Sequence, residues 1–114
     1  MGATLPKAER LCGRTAVSSL MKTGKWLQGE NTRCCFASNG QELSRIMVSV
    51  PKKHFKRAVK RNLLKRRLRE SYRLQKDLLG GGFDVLFVYS GTDITCFEDI
   101  RAEVASLLAR IAQK

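Results

Sequence analysis

The sequence is poor in the side chains that most protein nucleases use. It contains a single histidine, His54, and only 10 acidic residues among 114. A single histidine excludes a two-histidine ribonuclease mechanism, and a two-metal site needs several converging carboxylates. The acidic residues of the C-terminal third lie at expected strand ends and helix caps: Asp84, Asp93, Glu98, Asp99 and Glu103. We therefore expect no catalytic residue in this protein.

Patterns for binding metal and for crossing a membrane are also absent. The four cysteines, Cys12, Cys34, Cys35 and Cys96, show no CxxC spacing and accompany no histidine cluster. Adjacent side chains on a strand point to opposite faces, so Cys34 and Cys35 do not suit one tetrahedral zinc site. We expect reduced thiols and no metal. No apolar run approaches ~20 residues and no signal peptide is evident, so we expect a cytoplasmic protein that binds no membrane.

Positive charge is abundant and unevenly distributed. The net charge is +12, from 22 Lys and Arg against 10 Asp and Glu. Residues 51–73 contain eleven of these cations and one acid, a net charge of +10, whereas residues 74–114 carry a net charge of −2. A charge that served only solubility would be spread along the chain. This concentration indicates a site for a polyanion within residues 51–73.

Hydrophobic periodicity predicts one α+β domain over residues 1–114. The predicted elements are a helix over about 8–23, strands near 25–27, 34–37 and 43–50, a helix over about 56–79, a strand over 83–89, and a helix that follows Thr95 and runs to about 112. In chain order these elements read α-β-β-β-α-β-α. The order is typical of a two-layer sandwich in which helices pack on a sheet.

Three local patterns refine this arrangement. The turn-prone Ser38-Asn39-Gly40 predicts that the second and third strands form an antiparallel hairpin. Thr95 and Glu98 match a capping box with Thr95 at the N-cap. Phe83–Tyr89 is nearly continuous in apolar residues, which indicates a buried central strand.

The long predicted helix over about 56–79 concentrates charge on one side. At about 100° per residue, one sector holds the apolar residues that should face the sheet: Leu64, Leu68, Tyr72 and Leu79. An adjacent sector, which we call the basic arc, holds Asn62, Lys65, Arg66, Arg69 and Arg73. Its cations recur at i and i+4, which costs stability unless an anion binds against them. The pattern indicates nucleic-acid binding through phosphate contacts.

Charge and periodicity leave the kind of partner open. A small basic ribosomal protein would bind folded RNA, and a basic DNA-binding or chromatin-like module would bind duplex DNA. No helix-turn-helix, zinc finger or leucine zipper accompanies the helix. A membrane-surface helix would need a free apolar face, but the apolar sector is required for the core. The neighbouring sheet offers a surface on which a single RNA strand could lie.

The stretch Val48–Arg73, VSVPKKHFKRAVKRNLLKRRLRESYR, resembles the signature of the bacterial ribonuclease P protein family. That family shows a strand ending in Ser-Val-x-Lys-Lys/Arg, then Ala-Val, Arg-Asn-Arg-x-Lys-Arg and an Arg-Glu pair. The opening Leu5-Pro6-Lys7 and the closing strand and helix are similar as well. Leu63 stands where the motif has its second arginine, which removes one expected phosphate contact.

The resemblance implies a protein subunit of ribonuclease P that assists the 5′ maturation of precursor tRNA while the RNA subunit carries the chemistry. The implied RNA contacts are Lys52, Lys53, Lys56, Arg57, Lys60, Arg61, Asn62, Lys65, Arg66, Arg69 and Arg73. A cleft between the first helix and the sheet is implied for the single-stranded 5′ leader. Its implied residues are Val17 and Met21, which stand at positions often Phe in the family, and Cys35, or Phe36 if the strand register shifts by one.

The resemblance also implies partners, cofactors and chain path. The partners are the ribonuclease P RNA subunit and the 5′ leader of precursor tRNA, with no obligate protein partner. The protein binds no cofactor itself, and Mg²⁺ is expected with the RNA subunit. The strands before and after the basic helix are joined in the family by an uncommon left-handed β-α-β crossover.

Overall fold

The computed structural model describes residues 14–40, 42–53, 55–79 and 81–112. Its elements are helix α1 (Arg14–Thr23), strands β1 (Lys25–Gln28), β2 (Thr32–Ser38) and β3 (Arg45–Ser49), helix α2 (Ala58–Gln75), strand β4 (Phe83–Tyr89) and helix α3 (Phe97–Ala112). A short 3₁₀ turn, Lys76–Leu78, extends α2. The predicted order of elements and the α+β class are confirmed. The part of the predicted first helix before residue 14 lies outside the described residues.

The four strands form one sheet in the order β1-β2-β4-β3. β4 lies between β2 and β3, antiparallel to β2 and parallel to β3. The predicted hairpin of the second and third strands is therefore wrong. The nearly continuous apolar β4, buried on both faces, takes the place between them. Gly40 does adopt a positive φ of 68°, but the chain beyond it passes to the far side of β4.

One face of the sheet packs against α2 and α3 and forms the main core. From α2 this core receives Leu64, Leu68 and Tyr72, each at most 1% exposed, which confirms the predicted apolar sector. The buried residues of α3 are Ile100, Val104, Leu107, Leu108 and Ile111. The rings of Tyr72 and Phe87 lie 6.5 Å apart between centroids, so α2 and the central strand contact directly. These contacts fix the rotation of α2 about its axis.

The opposite face of the sheet packs against α1. Leu20 joins Cys35, Leu86 and Val88 in a second, smaller buried cluster. The Cys35 thiol donates a hydrogen bond to the Leu20 carbonyl oxygen, with Sγ and oxygen 3.3 Å apart. A Cβ at Gly24, the residue after α1, would lie 2.6 Å from the Cys35 sulfur, so this close approach of helix to sheet requires glycine.

The predicted capping box at the start of α3 is wrong. α3 begins at Phe97, two residues beyond Thr95. The side-chain hydroxyl of Thr95 hydrogen-bonds the hydroxyl of the buried Tyr89. A buried phenol needs a partner, and Thr95 supplies one instead of capping the helix. The Thr95 carbonyl oxygen accepts a further hydrogen bond of 2.6 Å from Arg67 Nη1.

Candidate nucleic-acid interface

α2 directs the basic arc away from the core. Leu64, Leu68 and Tyr72 pack in the core beneath the helix. The basic arc is rotated by about 100° from these residues around the helix axis, so it faces outward. The residues of the basic arc are all exposed or half-buried: Asn62, Lys65, Arg66, Arg69 and Arg73. The predicted geometry of this helix is confirmed. Glu70 is the one acidic residue of α2, so the helix presents a strongly cationic surface.

Glu70 pairs with one cation of the basic arc, Arg73, and not with the other three. Its carboxylate accepts hydrogen bonds from Arg73, whose Nε lies 3.1 and 3.2 Å from the two oxygens. These hydrogen bonds lower the pKa of Glu70, so the pair is ionised at neutral pH. Lys65, Arg66 and Arg69 form no ion pair with any acidic residue that the structure describes. These three side chains keep their full charge for an external anion.

Two other arginines of α2 are tethered to backbone oxygens. Arg61 Nη1 donates to the carbonyl oxygens of Phe55 and Lys56, at 2.7 and 2.8 Å. Arg67 Nη1 donates to the carbonyl oxygen of Thr95. These bonds hold the segment before α2 and the loop before α3 against the helix. The structure thus gives Arg61 a positioning role, and an RNA contact through its remaining N–H groups stays a prediction.

The segment between β3 and the first turn of α2 extends the cationic surface. All five predicted cations of this segment are exposed: Lys52, Lys53, Lys56, Arg57 and Lys60. A depression of about 390 Å³ lies at the start of α2, lined by Phe55, Lys56, Arg57, Lys60, Asp93 and Ile94. The positive end of the helix dipole lies at the first turn of α2 and adds to the positive potential there. No acidic residue in that turn offsets it. His54 lies outside the described residues.

Three of the four predicted cleft residues lie on the α1 side of the sheet. Val17 packs against the small cluster, and Met21, in the last turn of α1, is 51% exposed. Cys35 is buried beneath α1, and this burial raises the pKa of its thiol. Phe36 points to the other face and packs in the main core, so its placement in the cleft is wrong. Strand alternation brings Cys35, and not Phe36, to α1.

Both edge strands expose large side chains on the α1 face. Met47 of β3 is 37% exposed. Trp26 of β1 is 41% exposed, and the guanidinium carbon of Arg33 lies 5.0 Å from the centroid of its ring. This pair is not predicted from the sequence, because it depends on the register of β1 with β2, in which Trp26 lies opposite Cys35 and Gln28 lies opposite Arg33. Pairing the first two predicted strands as an antiparallel hairpin in this register would have placed Trp26 and Arg33 side by side.

Comparison with known proteins decides the family. A sequence model described as Ribonuclease P matches residues 5–112. The chain belongs to the ribonuclease P protein family. It is therefore a protein component of ribonuclease P, the endonuclease complex that processes the 5′ end of tRNA. Leu63, the residue that departs from the motif given above for Val48–Arg73, is half-buried.

Relatives of the ribonuclease P family match along nearly the whole chain. The ribonuclease P protein component of Thermotoga maritima is 34% identical over 116 residues, covering 97% of this chain and 98% of that protein. The component of Porphyromonas gingivalis is 32% identical over 118 residues, covering 95% of this chain and 86% of that protein. Both matches agree with the family assignment.

Solved structures agree with the fold. The RNase P protein from Thermotoga maritima superposes with a TM-score of 0.82 at 33% identity, covering 90% of this chain and 97% of that one. The RNase P protein of Staphylococcus aureus gives a TM-score of 0.80 at 22% identity, covering 94% of this chain and 97% of that one. The second likeness concerns the fold alone, and both support the α+β architecture described above.

Two carboxylates of this ribonuclease P protein, those of Glu103 and Asp84, hold parts of its fold together. Glu103 of α3 accepts hydrogen bonds from the backbone N–H groups of Asn31 and Thr32, at 2.7 and 3.1 Å. Asp84 of β4 accepts one of 2.8 Å from Arg45. The described part of the chain contains no group of three or more His, Cys, Asp or Glu side chains that could hold a metal ion. None of the described helices is long and apolar enough to cross a membrane.

Proposed function

We propose that this chain binds the RNA subunit of ribonuclease P through the basic arc and the cationic segment before α2. The observation that carries this proposal is the orientation of α2. Its apolar sector is locked in the core, so Lys65, Arg66 and Arg69 face outward without an acidic partner among the described residues. A folded RNA supplies closely spaced phosphates that relieve the repulsion among these cations.

The α1 side of the sheet is the surface that we assign to the 5′ leader of precursor tRNA. α1 and α2 pack on opposite faces of the sheet, so an RNA that lies along the basic arc leaves the α1 face accessible. Val17 and Met21 offer apolar contacts to leader bases there, rather than aromatic stacking. The two surfaces give the protein separate contacts for the RNA subunit and for the substrate.

The RNA subunit, in this proposal, carries out the hydrolysis and holds the Mg²⁺ that the reaction requires. Glu103 and Asp84 are hydrogen-bonded to groups of the same chain, which supports this division between protein and RNA. The protein contributes by neutralising crowded phosphates and by adding leader contacts that favour precursor over mature tRNA. It acts in the cytoplasm, where precursor tRNA is made, and needs no further protein partner.

The decisive experiment measures substrate affinity with and without the leader. The protein is assembled with a bacterial ribonuclease P RNA, and precursor tRNA is compared with the same tRNA lacking its leader. We expect the complex to bind the leader-bearing form more tightly than the RNA alone does, with little gain for the leaderless form. Equal gains would contradict the leader contact, and failure to assemble would contradict RNA-subunit binding.

The salt dependence of assembly gives an independent test. If six to ten phosphates are contacted, affinity for the RNA should fall roughly 10³- to 10⁵-fold between 50 and 200 mM salt, because each contact releases counterions. A nearly flat dependence would show that the basic arc does not contact phosphates.

A further inference from the structure

An aromatic and cationic surface lies away from the basic arc, at the β1 edge of the sheet. Trp26 is the only tryptophan of the chain and stays 41% exposed. Arg33, on the neighbouring strand, places its guanidinium carbon 5.0 Å from the ring centroid. Arg33 is itself exposed and forms no ion pair with a described acidic residue. We call Trp26 and Arg33 the edge platform.

Packing alone does not account for the edge platform. Trp26 belongs to neither buried cluster and keeps 41% of its surface exposed to solvent. A large aromatic side chain on an exposed edge strand also favours unwanted association between chains. The contact with Arg33 holds the ring in one place while leaving guanidinium N–H groups available. An aromatic ring fixed in this way loses little conformational freedom when a flat partner binds.

We propose that an unpaired nucleotide of RNA stacks on Trp26 while Arg33 donates hydrogen bonds to an adjacent phosphate. The inference rests on the proposed function, because it assumes that an RNA strand passes this face. Stacking on an indole accepts any base, since every base has a π-face, and a guanidinium suits a phosphate. The exposed Lys22, in the last turn of α1, adds positive charge on this face.

The position of the edge platform distinguishes its RNA contact from that of the basic arc. Trp26 lies opposite Cys35 in the β1–β2 ladder, on the face that α1 covers. α2 packs on the other face of the sheet. The nucleotide therefore belongs to a strand that passes α1. Two sources have this chemistry, namely the 5′ leader of the substrate and an unpaired segment of the RNA subunit.

Tryptophan fluorescence tests the stacking directly, because Trp26 supplies the whole signal. The protein is titrated first with a bacterial ribonuclease P RNA and then, as the complex, with leader-bearing or leaderless precursor tRNA. Quenching at the first step supports the edge platform and assigns the nucleotide to the RNA subunit. Quenching that requires the leader supports it and assigns the nucleotide to the substrate. No quenching at either step overturns the proposal.

Affinity measurements on variants complete the test. Trp26→Ala should weaken the step at which quenching occurs by roughly 5- to 150-fold, the range for losing one stacked base. Trp26→Phe should recover most of this loss, since a smaller ring still stacks. Arg33→Gln leaves the indole in place and should weaken the same step, which keeps the test valid if Trp26→Ala unfolds. Wild-type affinities for Trp26→Ala and Arg33→Gln would overturn the edge platform.

The outcomes separate this inference from the proposed function. If Arg69→Gln weakens assembly with the RNA while Trp26→Ala and Arg33→Gln do not weaken any step, the edge platform is wrong and the proposed function stands. If the wild-type protein fails to assemble with the RNA, the proposed function fails, and the edge platform fails with it.

Discussion

The two faces of the sheet are built from alternate residues of the same strands, yet they differ in what covers them. Toward α2 and α3, the side chains of β4 are fully buried: Val85, Phe87 and Tyr89. Toward α1, Leu86 and Val88 are buried at the middle of the sheet. On that same face Met47 of β3 is 37% exposed and Arg33 of β2 is exposed as well.

This difference shows how one small sheet can provide both stability and binding. Because side chains alternate along a strand, a substitution on one face leaves the other face in place. The α2–α3 face holds the larger buried cluster, whereas the α1 face combines a small buried cluster with exposed side chains at the sheet edges. The four predictions below test this division, in decreasing order of their effect on the free energy of unfolding.

The largest effect is expected in the main core. Leu68→Ala removes a fully buried side chain of α2 and should lower the free energy of unfolding by about 2–5 kcal/mol. The matched control is Met47→Ala on the α1 face, which should cost about 0.5 kcal/mol or less. Urea denaturation measures both variants. Similar losses of unfolding free energy in the two variants would show that the two faces contribute equally to stability.

The next effect involves an ion pair that joins β3 to β4. Asp84 accepts hydrogen bonds from Arg45, at 2.8 and 2.9 Å, and from the Asn39 side chain at 2.9 Å. Asp84→Asn should lower the free energy of unfolding by about 1–3 kcal/mol, because it leaves a partly buried arginine without its charged acceptor. The control is Asp77→Asn at an exposed position, expected to change it by less than about 0.5 kcal/mol. Equal effects would contradict a structural role for the pair.

Acid should weaken the same pair. Burial raises the pKa of Asp84, but the hydrogen bonds from Arg45 and Asn39 outweigh it, so the net pKa is below the usual value. The pair therefore stabilises the fold above the usual aspartate pKa of about 3.9, and this stabilisation is lost as pH falls through the lower folded value. The loss on acidification is smaller than that from Asp84→Asn, because protonation is complete only well below the lowered pKa of Asp84. Denaturation at pH 7 to 2 should show a steeper acid decline for wild type than for Asp84→Asn, and parallel profiles would contradict this.

The smallest effect on stability, with a large effect on binding, is expected in the basic arc. Arg69→Gln should change the free energy of unfolding by no more than about 0.5 kcal/mol, because it also relieves repulsion from Lys65. Affinity for the ribonuclease P RNA should fall, and the slope of its logarithm against log salt should decrease by about 1. Arg73→Gln is the matched control, since Arg73 is already paired with Glu70, and should weaken binding less. Equal losses would show that the Glu70 pair does not matter for RNA binding.

The parts of the fold that depend on local periodicity were predictable from sequence. The apolar sector of α2 with Leu64, Leu68 and Tyr72 lies where a 3.6-residue repeat places it, and the basic arc follows from the same geometry. The order of elements was also predictable, because each has its own pattern. Local periodicity was therefore enough to predict which residues of α2 face the core and which face outward.

Contacts that depend on strand pairing and burial were not predictable. The Asn39-Gly40 turn favoured a hairpin, but β4 competes for the same strand edges from more than forty residues away. Thr95 resembles a helix cap, but it bonds the hydroxyl of Tyr89. The pairing of Trp26 with Arg33 depends on strand register in the same way. Thr95 and Tyr89 are close in the chain, but their contact depends on the burial of Tyr89. Trp26 and Arg33 are close as well, but their contact depends on the register of β1 with β2.

The central position of β4 also determines when the chain can fold during synthesis. β4 pairs with both β2 and β3, and these two strands lie on opposite sides of it. Until residues 83–89 emerge from the ribosome, β3 has no partner strand and the core has no centre. By then the segment of residues 51–73, with its charge of +10, is already synthesised without a folded core to hold it. Its cations reach fixed positions only after β4, and then α3, whose side chains complete the main core, have been synthesised.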